Sequence, residues 1–221
     1  HPNARFTVAA AQDPAIAPSW DDPEGVPIDA ILFGGRRSGV VPLVHEAFDW
    51  NHGTFLGATM SSETTAAAAG AMGVLRRDPF AQLPFAGYNM GDYINHWLKI
   101  GATSGAQLPR IFYVNWFRKD QDGRWLWPGF GENSRVLEWV FRRCDDAVGG
   151  TETAIGVLPE AGDLNTDGLG VSDADLAELL KVDNDEWKNE LGSIQEHLDS
   201  LGERLPQEMR EQLAALTERL G

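Results

Sequence analysis

The sequence predicts an α/β domain, a mixed sheet with flanking helices, that continues into a helical tail. Three observations carry this. Strand-like apolar runs alternate with helix-period segments up to about residue 150. "LPRIFYVNWF", residues 108–117, is a dense run of β-branched and aromatic residues and the strongest strand in the chain. From about residue 172 onward the pattern is helical, with Ser172 and Pro206 placed where helices begin.

The elements follow in order. Residues 1–24 read as an irregular connecting segment packed through Trp20, because "DPAIAPSWDDPEG" holds three prolines and a charge cluster. "VPIDAILFGG" reads as a buried strand that ends in a glycine turn. "VPLVHEAFDW" reads as a short helix with Pro42 in its first turn, and "HGTFLGATM" as another strand. "SSETTAAAAGAMG", residues 61–73, has small side chains and no apolar stripe. It reads either as an exposed helix or linker, or as a lid loop that orders and disorders cheaply. "VLRRDPF" is a short strand, and "MGDYINHWLKIGA" a helix. "NSRVLEWVFRRCDDA" is a helix with Asn133 at or near its N-cap. Residues 25–150 thus form the main unit and 151–221 an acidic, mostly helical remainder.

Composition narrows the function classes. Hydrophobic residues make up 43% and charged residues 23% of 221, an ordinary globular balance. The net charge of −15 is uneven: residues 1–150 carry −3, and residues 151–221 carry −12. An acidic chain is a poor nucleic-acid partner, although a small phosphorylated ligand needs only a few well-placed cations. No apolar run reaches the roughly 20 residues that span a bilayer, so no membrane is expected. The single cysteine, Cys144, suits a reducing, cytoplasmic setting and reads as a half-buried helical thiol. The opening "HPNARF" has no Met, which suggests a processed chain or a piece of a longer one.

Several motifs could carry chemistry. "FGGRRSG" puts two arginines in a glycine turn just after a strand, where open α/β sheets bind ligands. An Arg there can hold a phosphate, or it can simply be a solvated surface residue. Asn3 and Arg5 share a side if the terminus is extended and could hold a carboxylate. Asp163, Asn165, Asp167 and Gly168 imitate a calcium loop, but its twelfth position is Ala174, so a turn before a capped helix is the better reading. The five histidines have no metal spacing. "NWFRKDQDGRWLWPGFGENSR" crowds Trp116, Phe117, Trp125, Trp127 and Phe130 around a turn. That is either a hydrophobic cluster under a hairpin or a slot for a flat ring, with an Asn amide able to read a purine edge.

"FGGRR", "GATMSSETTAAAAG", "DPFAQLPFAGYNMGDY" and "VNWFRKDQDGRWLWPGFGENSRVLEW" resemble the C-terminal part of the GTP-dependent phosphoenolpyruvate carboxykinase family. The resemblance covers essentially the whole chain, is dense from Gly25 to Trp139 and thins in the tail. It implies a C-terminal nucleotide-binding domain of a gluconeogenic enzyme that converts oxaloacetate and GTP into phosphoenolpyruvate, GDP and CO2, with Mn2+ and Mg2+ as cofactors. Residues 1–24 would end the preceding substrate-binding region. Asn3, Ala4 and Arg5 would hold the substrate, with Arg5 near the transferring phosphoryl group and Arg36 on the nucleotide phosphates. Ser62, Glu63, Thr64, Thr65, Ala66, Ala67, Ala68, Ala69 and Gly70 match the lid. Trp116, Phe117, Trp125, Phe130, Gly131, Glu132 and Asn133 match the guanine site, and Trp127 would support it from behind. The family's P-loop, metal ligands and reactive cysteine lie outside this sequence, so no metal ligand is expected here and the chain alone should be inactive. The remaining part of the same enzyme would be its partner, and a monomer is expected. The alternatives are a non-catalytic nucleotide-binding or interaction module, with the acidic tail docking a partner, and the ATP-dependent carboxykinase lineage.

Overall fold

In the computed structural model, residues 7–64, 73–160 and 162–221 are described. Five strands form a sheet in the order β1-β5-β2-β7-β6: β1 (Ala30–Gly34), β2 (Val44–Glu46), β5 (Arg110–Val114), β6 (Thr151–Thr153) and β7 (Gly156–Leu158). β1 and β5 run parallel, from Ala30 opposite Arg110 to Gly34 opposite Val114, and the other pairings are antiparallel. A separate hairpin pairs β3 (Ser61–Glu63) with β4 (Leu75–Arg77). The α/β, mixed-sheet class read from the sequence therefore holds.

β5 shows why both faces of the sheet are covered. Its alternate residues face opposite ways. Ile111 and Tyr113 join one apolar cluster, while Phe112 and Val114 join the other. On the first face lie α1 (Trp50–Thr59), α2 (Met90–Gly101), α5 (Asn184–Asp199) and α6 (Gln207–Leu220); on the second lie α3 (Asn133–Cys144) and α4 (Asp173–Leu179). α4 opens with a capping box: Ser172 accepts from the Asp175 N–H and the Asp175 carboxylate accepts from that of Ser172.

Two sequence assignments reverse. The segment read as a helix, 41–50, supplies β2, and the segment read as a strand, 52–60, is most of α1. The reason is burial on all sides. Every residue of α1 from His52 to Thr59 is buried, so it has no polar face to mark a helical period. Gly53 is needed there because a Cβ would lie 2.4 Å from the Ile111 side chain. β2 is likewise buried on both faces, which removes the alternation expected of a half-exposed strand.

One smaller correction follows: Trp20 is 44% exposed and is no buried anchor. The hairpin of β6 and β7 precedes the helices of the remainder, and Asn133, directly after the N-cap Glu132, is the first residue of α3. The acidic tail is part of the domain core: Ile194, Leu198, Met209, Leu213 and Leu216 are buried against the residues of α1 and α2.

Candidate functional site

Because β1 and β5 are parallel neighbours, their carboxyl ends open on the same edge. This is where α/β sheets bind ligands. An open cleft of about 360 Å³ lies there, lined by Gly34, Gly35, Arg36, Ser62, Val114, Trp116 and Phe117. The loop after β1 lies directly against β3. A Cβ on Gly35 would sit 1.9 Å from the Ser61 carbonyl oxygen, so only glycine permits this approach. The Arg36 N–H donates to Ser62 Oγ (3.1 Å), and the Glu63 N–H donates to the Arg36 carbonyl (2.8 Å). Glu63 Oε1 accepts from both the N–H and the Oγ of Ser38, at 2.7 Å each. These bonds fix the described start of the candidate lid, Ser62 to Thr64, against the arginine loop. Thr65, Ala66, Ala67, Ala68, Ala69 and Gly70 lie outside the described residues, as do Asn3, Ala4 and Arg5.

Asn115 joins that loop to the aromatic turn. It is fully buried; its Oδ1 accepts from the N–H groups of Arg37 (3.2 Å) and Phe117 (3.1 Å). Its Nδ2 donates to the carbonyls of Arg37 and Val41, both at 2.9 Å. The sequence reading passed over Asn115. An asparagine directly after the strongest strand, where β propensity is low, was the available signal.

The two arginines separate. Arg36 is half-buried, with its guanidinium 4.6 Å from the Phe117 ring centroid. Arg37 is buried and binds Glu190 of α5 (Nη2 to Oε1, 2.6 Å) and Ser61 Oγ (2.8 Å). Arg77 of β4 meets the other oxygen of Glu190 at 2.8 Å and donates to the Thr59 carbonyl at 2.8 Å. Burial, the largest influence, holds the Arg77 pKa below its ordinary value, with Glu190 opposing that shift.

The aromatic turn is only partly assembled. Phe117 meets Trp125 edge-on, centroids 5.8 Å apart and planes at 73°. Lys119 Nζ lies 4.1 Å over the Trp125 ring. Trp125 is 49% exposed and Phe130 is 99% exposed with φ at 51°. Trp127 is buried and its Nε1 donates to Asn133 Oδ1 at 2.9 Å. An indole N–H can only donate, so this bond fixes which end of the Asn133 amide is the oxygen. Glu132 pairs with Arg135 (2.7 Å), and the Gly131 carbonyl accepts from Ser134 Oγ (2.8 Å). The cleft therefore gathers Arg36, Ser62, Trp116 and Phe117. Trp125, Phe130, Gly131, Glu132 and Asn133 do not line it.

A family model described as the phosphoenolpyruvate carboxykinase C-terminal P-loop domain matches residues 1–219. This chain belongs to that family. Phosphoenolpyruvate carboxykinase (GTP) of Treponema pallidum (strain Nichols) is 58% identical over 223 residues, covering 100% of this chain and 36% of the relative. The Chlamydia trachomatis serovar D protein of the same name is 52% identical over 222 residues, covering 100% of this chain and 37% of its own length. The chain therefore spans a little over a third of the length of those relatives.

The divalent ions implied by the carboxykinase resemblance do not fit the described residues. Among the described residues no group of three or more His, Cys, Asp or Glu is placed to hold a metal. In the calcium-like loop, Asp163 Oδ2 accepts from the Glu160 N–H, and Asn165 Oδ1 accepts from the Asp167 N–H and from Arg135. Those oxygens serve a turn. Among the described residues, no helix is long and apolar enough to cross a membrane.

Proposed function

We propose that this chain supplies the guanine-nucleotide portion of a GTP-dependent phosphoenolpyruvate carboxykinase, which converts oxaloacetate and GTP into phosphoenolpyruvate, GDP and CO2. The observation that carries this reading is the cleft at the carboxyl ends of β1 and β5, where Arg36 stacks on Phe117 beside an exposed aromatic turn. Arg36 offers a guanidinium to the nucleotide phosphates, where charge grows as the phosphoryl group transfers. Trp116, Phe117, Trp125 and Phe130 supply faces for the base. Stacking of this kind contributes about 1–3 kcal/mol per base.

Asn133 gives a reason for choosing guanine. Its Oδ1 is engaged by Trp127, so its Nδ2 donors suit an acceptor such as the 6-oxo group of guanine. Adenine carries an amino group at that position, and donor would meet donor. Gly131 and Glu132 shape the backbone before α3. Residues 62–70 act as the lid that excludes water from the site. Asn3, Ala4 and Arg5 hold the substrate carboxylate. The Mn2+ and Mg2+ ligands belong to the remaining part of the enzyme, and no step through a metal is assigned to this chain. A cytoplasmic monomer is part of the same reading.

The test is nucleotide competition. GTP quenches tryptophan fluorescence of the 221-residue chain and ATP competes weakly; tighter binding of ATP refutes the guanine assignment. The chain alone shows no turnover, so GTP- and Mn2+-dependent formation of phosphoenolpyruvate by it would sink the claim that essential groups lie elsewhere.

A further inference from the structure

Another cavity, with a lining distinct from that of the cleft, lies between the sheet and the helices of the first face. It measures about 40 Å³, and its lining includes His45, His52, Tyr113, Trp187, Arg77 and Ile194. His45 projects from β2, is 1% exposed, and stacks on Tyr113 with centroids 5.5 Å apart. Neither of its ring nitrogens has a hydrogen-bond partner in the protein. Trp187 Nε1 and Arg77 Nε, also buried, have none either. Buried polar atoms are rarely left in that state, and here four of them belong to residues lining one small cavity.

The chemistry of these atoms selects the occupant. Burial lowers the His45 pKa to about 3, so the imidazole is neutral and carries one donor and one acceptor. The Trp187 indole and Arg77 Nε donate only. The occupant must therefore accept several hydrogen bonds and donate at least one. A cation would meet the guanidiniums of Arg37 and Arg77. A halide would satisfy the donors but leave the imidazole acceptor orphaned. Water meets both demands, and 40 Å³ has room for about three or four molecules, each needing roughly 10–15 Å³.

We infer that this cavity is an internal hydration site, whose waters hydrogen-bond His45, Trp187 and Arg77. His52 also lines the cavity; its Nδ1 is already engaged, accepting from the Phe48 N–H at 3.1 Å. The waters let a neutral imidazole occupy the middle of the sheet without a protein partner.

The test is a high-resolution crystal structure of the chain, with crystals also treated with xenon and with bromide. Ordered water within hydrogen-bond distance of both His45 nitrogens is the expected result, along with a water cross-peak to the Trp187 indole N–H in solution. Xenon in an otherwise dry cavity overturns the proposal, because dry apolar cavities take up such gases. An anomalous bromide peak at the same place overturns it in favour of an anion site. In His45→Phe, ring atoms fill part of the space and the Trp187 water cross-peak is lost. If that cross-peak persists unchanged, His45 does not bind the waters.

Discussion

Arg36 and Arg37 are adjacent in one loop, yet they serve opposite ends. Arg36 lies over Phe117 at the edge of the cleft and makes no ion pair among the described residues. Arg37 turns inward, 5% exposed, to a carboxylate 153 residues away. An arginine available to a ligand is one the fold has not already neutralised. Glu190 does that for Arg37 and Arg77, and no described carboxylate does it for Arg36. The same loop thus divides into a half that faces the cleft and a half that ties the tail helix α5 to β4 and to the end of β1.

The most direct way to break this comparison is to remove each arginine in turn. Arg37→Ala leaves Glu190 and Ser61 with buried, partly unmatched groups and should cost about 3–5 kcal/mol in urea unfolding. Arg36→Ala loses a cation–π contact worth about 0.5–1 kcal/mol at an exposed site. Equal losses for the two variants would mean that the inward ion pair adds nothing. Acid gives the next largest effect. Burial lowers the pKa of both His45 and His52 to about 3, with nearby Arg219 adding to the shift at His52. The unfolded chain takes up protons from about pH 6.5 downward and the folded chain does not. Stability is therefore full above pH 6.5 and declines as the pH falls towards 3, by about 2 kcal/mol per histidine at pH 5. Denaturant midpoints measured from pH 7.5 to 5 check this, and a flat profile would place the histidines at the surface. A smaller loss, about 1–2 kcal/mol, is expected for Asn133→Ala, which removes the acceptor of the buried Trp127 indole. A Trp127→Phe background should abolish most of that difference.

What could be read from the sequence follows the same division. β1, β5, α2 and α3 were legible because they keep a recognisable run or a period. β2 and α1 were not, because complete burial erases both strand alternation and helical polarity. The aromatic crowding at the turn and the glycine turn that carries Arg36 after β1 were legible as local features, because they are contiguous in sequence. The Arg37–Glu190–Arg77 arrangement was not, since it joins residues 37, 77 and 190, and no local pattern relates them. Asn115 was passed over because three of its four side-chain hydrogen bonds go to Arg37 and Val41, which only the folded loop brings near.

The smallest stability effect is expected where the binding effect is clearest. Phe130 is 99% exposed and has no ring partner among the described residues, so Phe130→Ala removes almost no packing. It also holds φ at 51°, a conformation that costs a residue with a Cβ, and alanine relieves little of this cost. Unfolding free energy should change by less than about 0.5 kcal/mol, as for other surface sites. GTP affinity should nonetheless fall by about 1–3 kcal/mol if the ring stacks on the base. Phe130→Gly adds the control that decides the matter: it keeps the ring deleted and releases the strained φ. If the backbone alone mattered, alanine, which keeps the constrained φ, would bind GTP like the parent chain by calorimetry, and only glycine would differ. If the ring is the contact, both variants bind equally poorly while their melting curves stay near that of the parent chain. A large loss of stability in the alanine variant would place Phe130 against a surface of the protein rather than open to a ligand.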